Sequence, residues 1–121
     1  MGMLQVRLPL PPSGNNFYTI ARGRKILSGK ARDWRAECVG ILQGAYTGKP
    51  LEDKDLCLHL TVTFPDRRKR DIDNVIKPLM DVLTQGGVWR DDSQVGELVV
   101  TREPARGPRG TVLATLWCFR S

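Results

Sequence analysis

Leu56, Leu58, Leu60, Val62 and Phe64 alternate with Cys57, His59, Thr61 and Thr63 without a break, and Pro65 stops the run. A period of two is the signature of a strand with one buried face, because successive side chains leave a strand on opposite sides. Five large apolar groups on one side cannot be hidden by the strand alone. The chain must therefore build a sheet and pack something over that face.

Two segments have helical spacing and can supply the cover. Ser28 is a suitable N-cap for a helix from about Gly29 to Tyr46, with Trp34, Cys38, Ile41, Leu42 and Ala45 as its buried stripe. Gly48-Lys49-Pro50 ends it. A second helix must accommodate Pro78, which costs roughly 3 kcal/mol in a helix interior but little in a first turn. Capping at Asn74 solves this and predicts a helix from about Val75 to Gln85, stopped by Gly86-Gly87. Asp71 and Asp73 then fall in a near-extended entry, where alternate residues point the same way and two carboxylates can face one ion.

The remaining strands are weaker. Leu4–Leu8 alternates, and the Pro-, Ser- and Asn-rich stretch from Pro9 opens a loop that runs to about Leu27. Strands at about Val95–Thr101 and Thr111–Phe119 flank the turn-rich Pro104–Gly110, a spacing that suits a hairpin with a long basic loop. The expectation is one small α+β domain over residues 1–121, in β-α-β-α-β-β order. Its mixed sheet carries two packed helices.

With 121 residues the chain can bury its own core. No apolar run approaches the roughly 18 residues of a membrane span, and the first residues lack a signal peptide's apolar core. Cys38, Cys57 and Cys118 are odd in number and widely spaced, as befits reduced thiols in a cytoplasmic protein. Nineteen Lys and Arg against thirteen Asp and Glu leave a net charge of +6, which favours a polyanionic partner. Arg22, Arg24 and Lys25 form one basic group in the Gly-containing loop. The denser one is Arg67-Arg68-Lys69-Arg70, and it runs directly into Asp71-Ile72-Asp73.

Cations that attract phosphate beside acids that repel it conflict, unless a divalent cation lies between acid and phosphate. Hard ions such as Mg²⁺ accept oxygens from both. The segment thus points to metal-assisted chemistry on a nucleic-acid backbone. The plainer reading is that Asp71 and Asp73 only favour the positive end of a helix, and that Asp91-Asp92-Ser93 is a solvated turn. Lys77 is placed to neutralise developing charge on a phosphoryl group, or else to form a surface ion pair one helical turn from Asp73. Asn74 is a cap that can also hold a carboxylate or water, and Asp81 is a pairing partner for Lys77. His59 reads as a packed or half-exposed strand residue, not as half of a Cys-His pair. Trp34 and Trp117 read as core, and Trp89 as an anchor for the acidic turn.

Three blocks in order resemble the RusA family of Holliday-junction resolvases. Leu8-Pro9-Leu10-Pro11-Pro12-Ser13-Gly14-Asn15-Asn16 resembles the family's strand and PPSxN start. Pro65 to Asn74, followed by Lys77, Asp81 and Leu83, resembles its central motif, and Trp89 to Val95 its third block. The resemblance implies a homodimeric endonuclease that uses Mg²⁺, with Mn²⁺ as a substitute, and nicks four-way junction DNA symmetrically. It carries the acidic cluster onto Asp71, Asp73 and Asp92, with Asp91 in reserve, and the catalytic lysine onto Lys77. DNA contacts are expected from Arg67, Arg68, Lys69, Arg70 and Asn74. Gly14 and the stretch from Arg102 to Arg109 depart from the family pattern. A non-catalytic basic DNA-binding dimer accounts for the charge but not for the acids within it. A metal-dependent nuclease acting on flaps or RNA would use the same residues.

Overall fold

The computed structural model describes residues 4–68, 70–104 and 109–118. In chain order it runs β1 (Leu4–Pro9), α1 (Gly14–Phe17), β2 (Tyr18–Ala21), β3 (Arg24–Leu27), α2 (Gly29–Ala45) and β4 (Leu56–Thr63). A 3-10 turn at Ile72–Val75 leads into α3 (Ile76–Gln85), and a second at Asp92–Gln94 into β5 (Val95–Glu103). β6 (Thr111–Cys118) follows.

The alternating run is β4, and Leu56, Leu58, Leu60, Val62 and the following Phe64 are all buried. Against them pack Ala31, Trp34, Cys38 and Leu42 from α2 and Leu79, Val82 and Leu83 from α3. Burying each such aliphatic side chain contributes about 1.5–3 kcal/mol before the entropy cost of ordering it. Ala45 is exposed, so the α2 stripe ends one turn earlier than its spacing suggests. Ser28 caps α2, its hydroxyl accepting from the Ala31 N–H at 3.1 Å.

The main sheet is ordered β1-β6-β4-β5. β6 is antiparallel to both β1 and β4, whereas β5 runs parallel to β4. The expected β5–β6 hairpin is therefore not formed: β4 lies between the two. The physical reason is burial. β4 is too apolar to sit at an edge, so it takes a neighbour on each side, and α3 carries the chain back to lay β5 parallel to it. β5 holds Gly96, Glu97, Arg102 and Glu103 and is largely exposed, as befits an edge. The end of the expected strand at Phe119 and the middle of the 104–110 loop lie outside the described residues.

The stretch from Pro9 to Leu27 is more ordered than its composition suggests. It contains the short α1 and a two-stranded sheet of β2 and β3, separate from the main one. Both α2 and α3 cover the same face of the main sheet. The opposite face carries His59, Thr61, Thr115 and Trp117. Trp117 is half-buried there with its ring centroid 4.5 Å from that of His59, so it is not a residue of the helix-covered core. His59 Nε2 stands 3.6 Å from a Glu97 oxygen, beyond hydrogen-bond reach. Burial pushes the Cys57 thiol up, as does the nearby Glu97 charge, which leaves it an inert thiol. All three cysteines are free, and no helix among the described residues is long and apolar enough to cross a membrane.

Candidate active site

Asp66 organises the basic run. Its Oδ1 accepts the Arg68 backbone N–H at 3.0 Å, and its Oδ2 accepts from Arg70 Nη2 at 3.1 Å. Arg70 Nη1 lies 2.9 Å from Oδ1 as an ion pair, off the line of a hydrogen bond. The Arg68 N–H first, and then the Arg70 guanidinium, hold the Asp66 carboxyl below the usual carboxylate range. Arg70 also lies over the Phe64 ring at 5.3 Å, as Arg102 does at 5.1 Å, and the Arg102 side chain donates to the Arg70 carbonyl. The residue before Asp71 is thus held by side chain and main chain together. Arg68 is different: its side chain is 82% exposed. Arg67 is likewise exposed, and Lys69 lies outside the described residues.

A cleft of about 600 Å³ opens beside this loop, walled by Pro12, Asn16, Phe64, Arg68, Arg70, Asp71 and Asn74. Gly14 faces Asn74 across it, and a Cβ there would meet Asn74 Nδ2 at an ordinary 3.6 Å. A side chain at position 14 would thus find room beside Asn74.

The helix entry differs from its expected form. Asp71 is extended, but Asp73 and Asn74 already belong to the 3-10 turn, and Val75 rather than Asn74 occupies the N-cap of α3. No side chain caps the helix. The tight turn itself satisfies the entry, with the Asn74 N–H bonded to the Asp71 carbonyl. Pro78 becomes the third helical residue, still within the turn whose N–H groups lack helical partners. Asp71 and Asp73 are exposed, and among the described residues neither carboxylate has an ion-pair or hydrogen-bond partner.

Lys77 turns forward along α3. Its ammonium lies 3.0 Å from Asp81 Oδ1 and 3.7 Å from Asp92 Oδ2, and these two carboxylates raise its pKa, Asp81 more strongly. Asp91 and Asp92 have separate tasks. Asp91 accepts the Ser93 N–H at 3.0 Å and closes a capping box with Gln94, and the Ser93 bonds hold its carboxyl below the usual range. Asp92 is the one that faces Lys77. Gln94 fixes their turn: its oxygen accepts the Arg90 and Asp91 N–H groups, and its amide donates to the Leu51 and Asp53 carbonyls, each at 2.8–2.9 Å. Trp89, 1% exposed, anchors the same turn through Nε1 to Thr84 Oγ1 at 2.6 Å.

The family model described as Endodeoxyribonuclease RusA matches residues 9–113, a span that takes in the cleft, both 3-10 turns and Lys77. The chain belongs to the RusA family. It is 35% identical over 104 residues to the crossover junction endodeoxyribonuclease RusA proteins of Enterobacteria phage 82 and of Escherichia coli K12, covering 86% of each chain. The corresponding protein of Aquifex aeolicus is 31% identical over 108 residues, covering 88% of this chain and 83% of the relative.

Of the residues marked by the RusA resemblance, the structure brings Lys77 to Asp92, and Arg68, Arg70, Asn74 and Asp71 to one cleft. It does not gather Asp71, Asp73 and Asp92: no three metal-ligating groups converge among the described residues. Sequence reasoning missed Asp66, Phe64, Arg102 and Gln94 as supports. Asp66 had a signal, its i, i+4 spacing to Arg70. Arg102 had none, since the parallel pairing of β5 is what brings it to Phe64.

Proposed function

We propose that this chain is a Mg²⁺-dependent endodeoxyribonuclease that resolves four-way DNA junctions by paired, symmetric nicks. The observation that carries the reading is the position of Asp71 and Asp73. Asp71 lines the arginine-walled cleft, Asp73 follows it in the 3-10 turn that leads to Lys77, and among the described residues neither carboxylate has a partner.

The donor set fits a hard divalent cation in kind. Mg²⁺ keeps several waters and is commonly held by one or two carboxylates together with substrate phosphate, so Asp71 and Asp73 would hold it as a first pair, and Asp92, which the structure does not bring to them, would be the third donor. When bound, the ion supplies Lewis-acid activation of water and charge neutralisation at phosphorus, and Mn²⁺ is a chemically similar substitute. Arg67 and Arg68 draw the phosphate backbone in, with Lys69 beside them in sequence. Arg70, fixed by Asp66, sets the position of Asp71 and offers the cleft a cationic wall. Lys77, held at Asp92, directs its ammonium toward charge developing on the leaving oxygen.

Two matched cuts in a nearly two-fold junction call for two related sites, which a C₂ homodimer provides. The sheet face left open by the helices mixes Trp117 and the exposed Val99 with His59, Glu97 and Thr115, and is the surface offered for such pairing. Action on DNA and three free thiols suit a cytoplasmic location. The test is a substrate panel of four-way junction, flap, linear duplex and RNA, each in Mg²⁺ and in EDTA. Preferential, metal-dependent cutting of the junction is expected. Binding without cutting, or faster cutting of flap or RNA, would overturn the proposal.

A further inference from the structure

The β2–β3 hairpin stands apart from the main sheet and is built unlike a simple connection. Tyr18 pairs with Leu27, Thr19 with Ile26, Ile20 with Lys25 and Ala21 with Arg24. The two-residue turn between them, Arg22-Gly23, has φ of +52° and +75°. Positive φ at both positions is the tight hairpin geometry that favours Asn-Gly, because asparagine and glycine tolerate the left-handed region. Arg22 pays a steric penalty there. A turn needed only to reverse the chain would not place an arginine at its tip.

The root of the hairpin is rigid. Phe17 is buried edge-on to both Tyr18 and Trp34, at 5.1 and 6.1 Å between ring centroids. The Ser28 N–H bonds to the Phe17 carbonyl at 2.9 Å, and Leu27 packs on the core. An isolated two-stranded ribbon is marginal in water, so this anchoring is what holds it out. Beyond the root no described residue covers it. Ile20 is 77% exposed, the most exposed of the large apolar side chains among the described residues. It shares a face with Tyr18 and Lys25, whose ammonium lies 4.5 Å from the Tyr18 ring centroid. Residues 18–27 hold three cations and no acid. The chain enters this hairpin directly from Asn16 on the cleft wall.

We propose that the β2–β3 hairpin is a wedge for the branch point of DNA, in which Ile20 packs on base-pair faces while Arg22, Arg24 and Lys25 take the flanking phosphates. The inference rests on the junction-cutting reading above and adds the element that distinguishes a junction from a plain duplex. Charge selects nucleic acid, and the exposed Ile20 selects the branch. An isoleucine offers no donor or acceptor to base edges in a groove, but an apolar side chain can lie against a base pair where stacking is interrupted. Base-pair faces are exposed at a branch and covered within a continuous duplex.

The test measures anisotropy of a labelled four-way junction and of a linear duplex of the same arm sequence, in Ca²⁺ to avoid cutting. Ile20→Thr keeps a β-branched residue in the strand, so the hairpin persists. It should lower the ratio of junction to duplex affinity roughly tenfold, or about 1.4 kcal/mol, with duplex affinity unchanged. Arg22→Asn suits the turn and removes one charge. It should weaken both substrates alike and flatten the log K against log[salt] slope by about 0.9. An unchanged junction preference in Ile20→Thr overturns the wedge while leaving the nuclease reading intact. A wild-type protein with no junction preference overturns the junction reading itself, and the wedge with it. If sedimentation shows that Ile20→Thr converts a dimer to monomers, the hairpin is a contact between protomers and the DNA assignment is wrong.

Discussion

Lys77 and Asp92 stand 3.7 Å apart, although they belong to different elements and are fifteen positions apart in the chain. The ammonium has Asp81 as a closer partner at 3.0 Å, and its side chain is 72% exposed. An exposed pair of this kind contributes little to stability, and the proposed function assigns Lys77 to the chemical step instead. Lys77→Ala should fold and bind junction DNA normally but cut roughly a hundredfold more slowly. Lys77→Arg should recover little, because a planar guanidinium distributes its charge differently. Single-turnover rates at saturating enzyme check this, and a normal rate with weakened affinity would make Lys77 a plain phosphate contact.

Asp71→Asn, Asp73→Asn and Asp92→Asn should each lower cleavage by about 10²–10³-fold and leave junction binding intact or tighter. Asparagine keeps the shape and removes both the metal-holding charge and the repulsion of phosphate. Asp91→Asn should retain most activity, because its task is to cap a turn. If Asp91→Asn proves the deficient variant and Asp92→Asn the active one, the assignment of the third acid is reversed.

Arg68 and Arg70 should separate in two assays. Arg68→Ala should weaken binding and flatten the salt slope by about 0.9, with the saturated cleavage rate near normal. Arg70→Ala should lower that rate even when all DNA is bound, and Asp66→Asn should copy it by releasing the guanidinium. The same pair predicts an acid dependence. Asp66 is held below its ordinary value of about 3.9, so its stabilising contribution is present above that pH and is lost as pH falls through the lower folded value. Urea unfolding of wild type and Asp66→Asn should therefore differ at pH 5 and converge on acidification.

Gln94 closes the 90–94 turn with two hydrogen bonds and ties it to Leu51 and Asp53 with two more. Gln94→Ala should cost about 1–2 kcal/mol, read by chemical denaturation, and should slow cleavage by loosening Asp92. Arg90→Ala removes only the exposed Glu52 pair at 2.8 Å and should change stability by less than about 1 kcal/mol.

What the sequence discloses follows from what is local. The period-two run gives β4 and its buried face, Ser28 gives the start of α2, and Gly86-Gly87 gives the end of α3. Gly87 has φ of +80°, and a Cβ on Gly86 would come within 2.8 Å of Leu42. The register of β5 is not local. It depends on β4 needing two neighbours, and no short-range signal distinguishes a parallel edge strand from a hairpin arm. The β2–β3 ribbon was hidden because Arg22 stands where Asn or Gly would announce a turn. At the site, the acids, Lys77 and the basic run were legible as motifs. Their supports were not, since Arg102 reaches Phe64 and Gln94 reaches Asp53 only after the chain has folded.

The most direct test of the central claim maps products from a four-way junction labelled in turn on each strand, with wild type and Asp73→Asn, in Mg²⁺ and in EDTA. Wild type in Mg²⁺ should nick two opposed strands at symmetric positions, with no nicks in EDTA or with Asp73→Asn. Cutting that persists in EDTA or in Asp73→Asn, or that falls on the duplex arms away from the branch, would contradict the central claim.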